Sequence, residues 1–186
     1  MRITLIVVGR TTDTRLQSLI DDYTQRLSHY VPFEWVVVPD LRNAKSLTEA
    51  QIKEQEGGEI LRRLTPSMEV SLLDEHGAER RSMEHAEWLQ KKMLGGRDLT
   101  FVIGGPYGFS PAVYERADGK MSLSRMTFSH QMVRLFFVEQ LYRAFTILRH
   151  EPDWSRLVSL AKDQGFQSLV PTFQKEADAG QQLSFF

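Results

Sequence analysis

Apolar and polar positions alternate along the chain in two rhythms. Residues 2–8 (Arg-Ile-Thr-Leu-Ile-Val-Val) form a nearly unbroken β-branched run that stops at Gly9, which predicts a strand buried on both faces. Thr11, Thr12 and Asp13 then offer N-caps for a helix through about Tyr30, with Leu16, Leu19, Ile20, Tyr23 and Leu27 at helical spacing. Pro32 stops that helix, and Phe33 to Val38 reads as a second strand closed by Pro39. Thr48-x-x-Gln51 has the form of a capping box, so a polar helix to about Leu64 is expected, although Gly57-Gly58 inside it costs ~1 kcal/mol per glycine relative to alanine.

Glu69 to Leu73 is a third, short strand ending at Asp74-Glu75, and a helix from Ser82 to Leu94 is broken by Gly95-Gly96. Leu99 to Ile103 is a fourth strand that runs into Gly104-Gly105-Pro106-Tyr107-Gly108. Ser110-Pro111 places a cap before a proline at the first helical position, which predicts a short helix. Met121 to Ser124 is a brief fifth strand, and Ser129 to Arg149, free of glycine and proline, is the strongest helix of the chain. Strands alternating with helices imply an α/β domain with a mostly parallel sheet covered by helices on both faces. Beyond Pro152 the apolar rhythm weakens, with only Leu157–Leu160 and Phe166–Val170 as clusters, and a poorly packed extension with one short helix around 154–163 is expected.

Composition narrows the class without naming a function. The 186 residues suit one domain with a short appendage, 41% are hydrophobic and 25% charged, and no run approaches the ~18 apolar residues of a membrane span. The chain has no cysteine, which excludes a disulfide framework, thiolate metal sites and a cysteine nucleophile, and fits a reducing, cytoplasmic setting. Five scattered histidines without H-x-x-x-H or H-E-x-x-H spacing argue against a metal hydrolase, and no metal site is expected. The net charge is −1, but residues 116–149 carry a local excess of four positive charges and residues 49–59 an excess of three negative. Either run is equally well read as an ordinary solvated face or as an electrostatic footprint.

In open α/β sheets ligands bind beyond the carboxyl ends of strands. Two ends suit this role, Leu72-Leu73-Asp74-Glu75 and Ile103-Gly104-Gly105-Pro106-Tyr107-Gly108. Glycines after a buried strand let backbone approach a ligand closely, yet a plain tight turn explains them equally well, and neither the dinucleotide fingerprint nor the phosphate loop is present. The third element is the polar loop Ser122–Ser129 leading into the long helix, whose first amides can bind an electronegative group. His130 and Arg134 are four apart on one helix face, and Glu139 and Arg143 are four apart on roughly the opposite one. A cap residue and a surface ion pair are the bland readings of these pairs. Polar pairs on both sides of an apolar helix suggest instead that it meets a substrate or a second subunit.

Ile103 to Gly108, Leu123 to Arg134, Glu139-Gln140-Leu141-Tyr142-Arg143-Ala144 and the opening Ile3 to Gly9 resemble the ribosomal RNA large subunit methyltransferase H family. The likeness runs in order and with family-like spacing through about Pro152. It places the chain in the SPOUT superfamily, small α/β proteins with a C-terminal trefoil knot that act as homodimers. It implies methyl transfer from S-adenosylmethionine to N3 of a pseudouridine in large-subunit (23S) ribosomal RNA, either as free RNA or in the assembled ribosome. By the same resemblance Leu73, Gly104 and the stretch Leu123, Ser124, Arg125, Met126, Thr127 and Phe128 would contact the cofactor. His130, Arg134, Glu139, Tyr142 and Arg143 match positions near the substrate or the dimer seam, with His130 able to accept the N3 proton and an arginine to favour the resulting anion.

The resemblance implies residues 1–152 as the SPOUT methyltransferase domain and 153–186 as an atypical extension. Family members carry an aromatic Tyr-His segment soon after the proline, whereas here Glu151-Pro152 continues as Asp153-Trp154 and 34 residues follow Pro152. The alternative function is therefore a catalytically impaired RNA- or ribosome-binding protein of the same fold. The final Gln182-Leu183-Ser184-Phe185-Phe186 is similar to the peptide that partners of the bacterial sliding clamp insert into its groove. A terminal pentapeptide is easily matched by chance, and a solvated tail is the preferred reading.

Overall fold

Five strands build one sheet in the order β2-β1-β4-β3-β5, every pairing parallel. They are β1 (Ile3–Val8), β2 (Phe33–Val38), β3 (Glu69–Glu79), β4 (Leu99–Ile103) and β5 (Gly119–Ser122). The helices are α1 (Thr14–Ser28), α2 (Glu49–Leu61), α3 (Ser82–Leu94), α4 (Pro111–Arg116) and α5 (Met132–Leu148). The computed structural model describes residues 1–41 and 44–149 and, beyond them, 158, 159, 161, 162, 168, 170–172, 174 and 175. The chain divides into two units, Met1–Leu148 and Arg149–Phe186. Of the helix expected around 154–163, residues 158, 159, 161 and 162 are described and are helical. Asp153-Trp154 and the terminal pentapeptide lie outside the described residues.

Strand order alone dictates the layers of the first unit. The connections β1 to β2 and β3 to β4 step one way across the sheet, while β2 to β3 and β4 to β5 step the other way. Right-handed crossovers must then put α1 and α3 on one face and α2 and α4 on the other. The packing agrees: α5 lies between α1 and α3, and α2 touches α4. Alternate strand residues serve the two cores, with Ile3, Leu5, Val7, Leu99, Phe101 and Ile103 under α1, α3 and α5, and Ile6, Val8, Val70, Leu72 and Val102 under α2 and α4. β1 and β4 are buried along their whole length, as a continuous apolar run requires when both faces are covered. Phe137 of α5 packs at a tilt against Phe101 of β4 with centroids 4.7 Å apart, which centres the long helix over the sheet.

Local chemistry explains the boundaries. Asp13 caps α1 by accepting from the amides of Arg15 and Leu16, and the Thr48–Gln51 capping box is complete at the start of α2. Gly57 looks like a fault in α2 but is a packing requirement: a Cβ there would drive into the Ser110 hydroxyl and stand 3.3 Å from Val113 Cγ2. The glycine lets α2 and the start of α4 approach, and α2 ends at Leu61 rather than Leu64. Leu19, which shares the helical spacing of α1, is half exposed instead of buried.

β3 is longer than its apolar run. It continues past Leu73 to Glu79 after a register break, so that Met121 of β5 pairs with both Leu73 and Ala78. The residues between bulge outward, and Asp74 Oδ1 accepts the His76 amide at 2.8 Å. The extension is polar and exposed, held by backbone pairing rather than burial, so it leaves no hydrophobic rhythm in the sequence. β5 starts two residues early, at Gly119, and α5 begins at Met132, where the Ser129 hydroxyl accepts the Met132 amide. Among the described residues no helix is long and apolar enough to cross a membrane.

Candidate active site

The carboxyl ends of β3, β4 and β5 open into a cavity of about 500 Å³, within the usual range for a small-molecule site. Each wall comes from a different strand end. Leu73, Asp74 and Glu75 come from the register break within β3, Gly104 to Phe109 follow β4, and Leu123, Ser124 and Met126 to His130 follow β5. Val133 and Tyr114 complete the lining from the first turn of α5 and from α4. The bulge in β3 has a direct consequence here, because it turns Asp74 and Glu75 out of the sheet towards this space.

The β4 wall is nearly all backbone. Gly105 accepts from the Gly108 amide at 3.1 Å, and Gly108 has φ +83°, a conformation that strains any residue with a Cβ. A Cβ at Gly104 would press on the Phe109 ring at 3.1 Å. The opposite wall is fixed by a polar clasp. Tyr114 donates its hydroxyl to Asp74 Oδ2 at 2.5 Å, the Tyr114 ring meets Phe109 edge-on at 5.7 Å, and Lys120 Nζ lies 5.4 Å from the Tyr114 centroid. Burial raises the Tyr114 hydroxyl, and with the Asp74 bond and the charges of Asp74 and Glu75 it is pushed up to about 12. Burial also pushes Asp74 up, but the Tyr114 hydroxyl, the His76 amide and Lys120 outweigh it and hold the carboxyl below its ordinary value. The clasp is therefore an ionised carboxylate and a protonated phenol at neutral pH.

The loop after β5 is tethered lightly. Thr127 Oγ1 donates to Glu75 Oε2 at 3.4 Å, and Ser122 and Ser124 bond within the loop. Met126 projects with 75% of its surface exposed. Arg125 does not line the cavity: it points into solvent with Nε 3.4 Å from Glu79 Oε2. The other residues expected around a cofactor, Leu73, Gly104, Leu123, Ser124, Met126, Thr127 and Phe128, all border this one space.

The four residues expected to carry catalysis separate. His130 borders the cavity, and burial lowers its pKa, helped by the Arg134 charge and opposed by Asp40, so the imidazole is neutral near pH 7. Arg134 is fully buried. Its guanidinium donates to the Val8 carbonyl at 2.5 Å, the Thr11 hydroxyl at 3.0 Å and the His130 carbonyl at 3.0 Å. Burial lowers its pKa, with Asp40 opposing. It ties the end of β1 to the start of α5 and presents nothing to the cavity. Gln131 repeats the tie by accepting the Thr12 amide at 2.9 Å and donating to the Arg10 carbonyl at 3.2 Å. Glu139 and Arg143 form a 3.2 Å ion pair outside the cavity lining, and Tyr142 packs between Tyr23 and Tyr30.

Sequence reasoning missed Tyr114, Phe109 and Gln131. Tyr114 lies on a six-residue helix with no distinctive pattern, and its partner Asp74 is 40 residues away. Gln131 joins a segment 119 residues earlier in the chain.

The family whose model is described as predicted SPOUT methyltransferase matches residues 1–153. The chain belongs to the SPOUT methyltransferase family. Among curated relatives, the ribosomal RNA large subunit methyltransferase H of Flavobacterium johnsoniae is 58% identical over 153 residues, covering 82% of this chain and 98% of that protein. The protein of the same name from Porphyromonas gingivalis is also 58% identical over the same length and coverage. A crystal structure of the SpoU methyltransferase AviRb from Streptomyces viridochromogenes in complex with AdoMet is a looser likeness, with a TM-score of 0.40 and 13% identity, covering 76% of this chain and 57% of that one. Against this SPOUT family membership, the cavity at the ends of β3, β4 and β5 is the site to be explained.

Proposed function

We propose that this chain methylates large-subunit ribosomal RNA, at N3 of a pseudouridine, with S-adenosylmethionine as methyl donor. The observation that carries the reading is that one cavity borders seven of the eight residues expected around that cofactor together with His130, the expected proton acceptor. The relatives named as ribosomal RNA methyltransferases support the RNA substrate. A cytoplasmic location and a homodimeric state, together with the knotted topology implied by the resemblance, belong to the same proposal, as does a methyltransferase domain spanning residues 1–152.

The cavity suits the cofactor on its own features. Its volume matches a nucleoside-sized ligand, the glycine wall allows close backbone approach, and Leu73, Leu123 and Phe128 offer apolar surface beside the carboxylates of Asp74 and Glu75. When bound, the cofactor supplies a methyl group on a positively charged sulfur, open to in-line attack. The protein's contribution is then mainly positioning. The Gly104–Gly108 backbone and the Asp74–Tyr114 clasp hold the walls, and the loop from Leu123 to Phe128 covers the site. Neutral His130 takes the N3 proton as the base becomes nucleophilic. Arg134 fixes the His130 backbone from below, as a positioning residue, and Arg125 at the outer edge of the loop, paired with Glu79 but solvent-exposed, can turn to meet an RNA phosphate.

The test is to incubate the purified chain and radiolabelled S-adenosylmethionine with ribosomes lacking this methylation, then map the label on the RNA. Label at N3 of a single pseudouridine is expected. Label elsewhere refutes the specificity, and cofactor binding without any transfer favours the impaired RNA-binding alternative.

A further inference from the structure

Behind the glycine wall lies a group that the proposed chemistry does not use. Glu56, on the inner face of α2, is 93% buried, and among the described residues its Oε2 has no hydrogen-bond partner. The carboxyl group is aimed at Gly105: a Cβ on that residue would stand 2.5 Å from Oε2 and 2.9 Å from Oε1. The absence of a side chain at Gly105 is thus what allows a carboxyl group to sit directly beneath the wall. An orphaned buried carboxyl is costly and needs a compensating role.

The charged surroundings are few. Burial, helped by the charge of Asp40 in the segment after β2, pushes Glu56 up to about 6. The glycine wall carries no charge, and the start of α4 presents uncharged Ser110 to the neighbouring Gly57. Asp40 in turn acts on His130 and on Arg134 of α5. On α2 itself Lys53 and Glu59 stand one turn to either side, Glu59 being spent on Arg62 and Arg63.

We propose that Glu56 is a positioning residue for methyl transfer, setting the Gly104–Gly108 wall from beneath and lending the cavity a negative charge that favours a cationic cofactor. The proposal rests on the reading of S-adenosylmethionine as that cofactor. The wall touches ligand through Gly105, and Glu56 acts through the wall. Because the sulfonium is charged and the product's thioether is not, an ionised Glu56 discriminates between donor and product, favouring loading of the former.

Two measurements on the full chain separate the contact from the charge. In the ligand-free protein, the Gly105 amide resonance is followed from about pH 5 to 8. It should titrate with an inflection near 6, and E56Q should abolish the inflection. Calorimetry then gives cofactor affinity over the same range. Affinity for S-adenosylmethionine should rise roughly fivefold as Glu56 ionises, the modest gain of a unit charge acting through the wall at intermediate dielectric. The rise should be smaller for S-adenosylhomocysteine and absent in E56Q, whereas D40N should keep it at lower pH. The variant E56A/G105A should bind better than G105A alone, since shortening residue 56 makes room for the new methyl. A Gly105 inflection that persists in E56Q, or folded E56Q binding as tightly as the unaltered chain at neutral pH, overturns the proposal. Normal titration of Gly105 in a chain that binds no cofactor at any pH overturns the cofactor reading and the charge role, while supporting the contact.

Discussion

Replacing Arg134 by methionine tests the claim that this arginine is a structural tie. The substitution keeps an unbranched stem in the core but removes three hydrogen bonds to neutral oxygens: the Val8 carbonyl, the Thr11 hydroxyl and the His130 carbonyl. The Val8 carbonyl is left buried without this donor, at a cost of ~1–3 kcal/mol, and the two part-buried acceptors lose ~0.5–1.5 kcal/mol each. Against this, the variant no longer holds a guanidinium out of water, a penalty visible in the lowered pKa of Arg134. Because the acceptors remain in place when the donor goes, the loss wins, and the net destabilisation should be about 2–4 kcal/mol. Urea unfolding followed by circular dichroism would report it as a midpoint lowered by ~1–2 M for a slope near 2 kcal/mol/M. A double-mutant cycle with T11V should return a coupling of about 1 kcal/mol. If R134M unfolds within 0.5 kcal/mol of the parent, or the cycle shows no coupling, the guanidinium is not what joins β1 to α5.

Other features predict measurable effects. His85 is buried, stacked on Trp88, with neither ring nitrogen bonded among the described residues, and burial together with the Arg80 charge lowers its pKa to about 4. Since the folded value lies below the unfolded 6.5, stability is complete above pH 6.5 and declines by about 3 kcal/mol as pH falls to 4. H85F should flatten that part of the stability–pH curve. Glu56 runs the opposite way: its raised pKa means stability is greatest below its unfolded value of 4.5 and is lost as pH rises through 6, so E56Q should be the more stable protein at pH 7. G57A gains ~1 kcal/mol of helix propensity but forces a methyl into Ser110, and a net loss of ~1–2 kcal/mol by thermal melting is expected. Y114F leaves the buried Asp74 carboxylate without its hydroxyl donor, and should weaken S-adenosylmethionine binding roughly tenfold by calorimetry with little change in fold.

Much of this architecture was legible because strands buried on both faces must be continuous apolar runs. β1 and β4 are such runs, and α3 matches its expected bounds because Gly95-Gly96 ends it. The failures have a common physical origin. The second half of β3 is held by backbone pairing with β5 that needs no apolar side chains, so its polar sequence reads as a loop. Gly57 reads as a weak helix position when its purpose lies 53 residues away, at Ser110. Strand-end logic and the family resemblance found the cavity's glycine and β5 walls, since these are local segments. It could not find the Asp74–Tyr114 clasp or the Glu56–Gly105 contact, which exist only once parallel crossovers bring distant segments together. Nor could it separate Arg134 from His130, because helical spacing gives a shared face and not the depth to which each side chain is buried.

The split among the expected catalytic residues leads to a last prediction. His130 borders the cavity, while Glu139 and Arg143 form their ion pair outside it, about half a helical turn round α5 from the His130 side. Of these groups only His130 lines the cavity of its own chain. Beside Glu139 and Arg143 the same helix part-exposes two apolar residues, Met132 and Phe136, the latter with one side of its ring against Phe128. A two-fold dimer through α5 would carry the Glu139–Arg143 side of one copy towards the cavity of the other, and make each site from two chains. H130A and R143A should then each be nearly inactive alone. Unfolded together and refolded as a mixture, they should recover about a quarter of normal turnover, because half the random pairs are mixed and each mixed pair holds one intact site. Sedimentation of the mixture at the dimer mass with no recovery of methyl transfer would show that the two groups do not share a site across the interface, and Arg143 would revert to a surface ion pair.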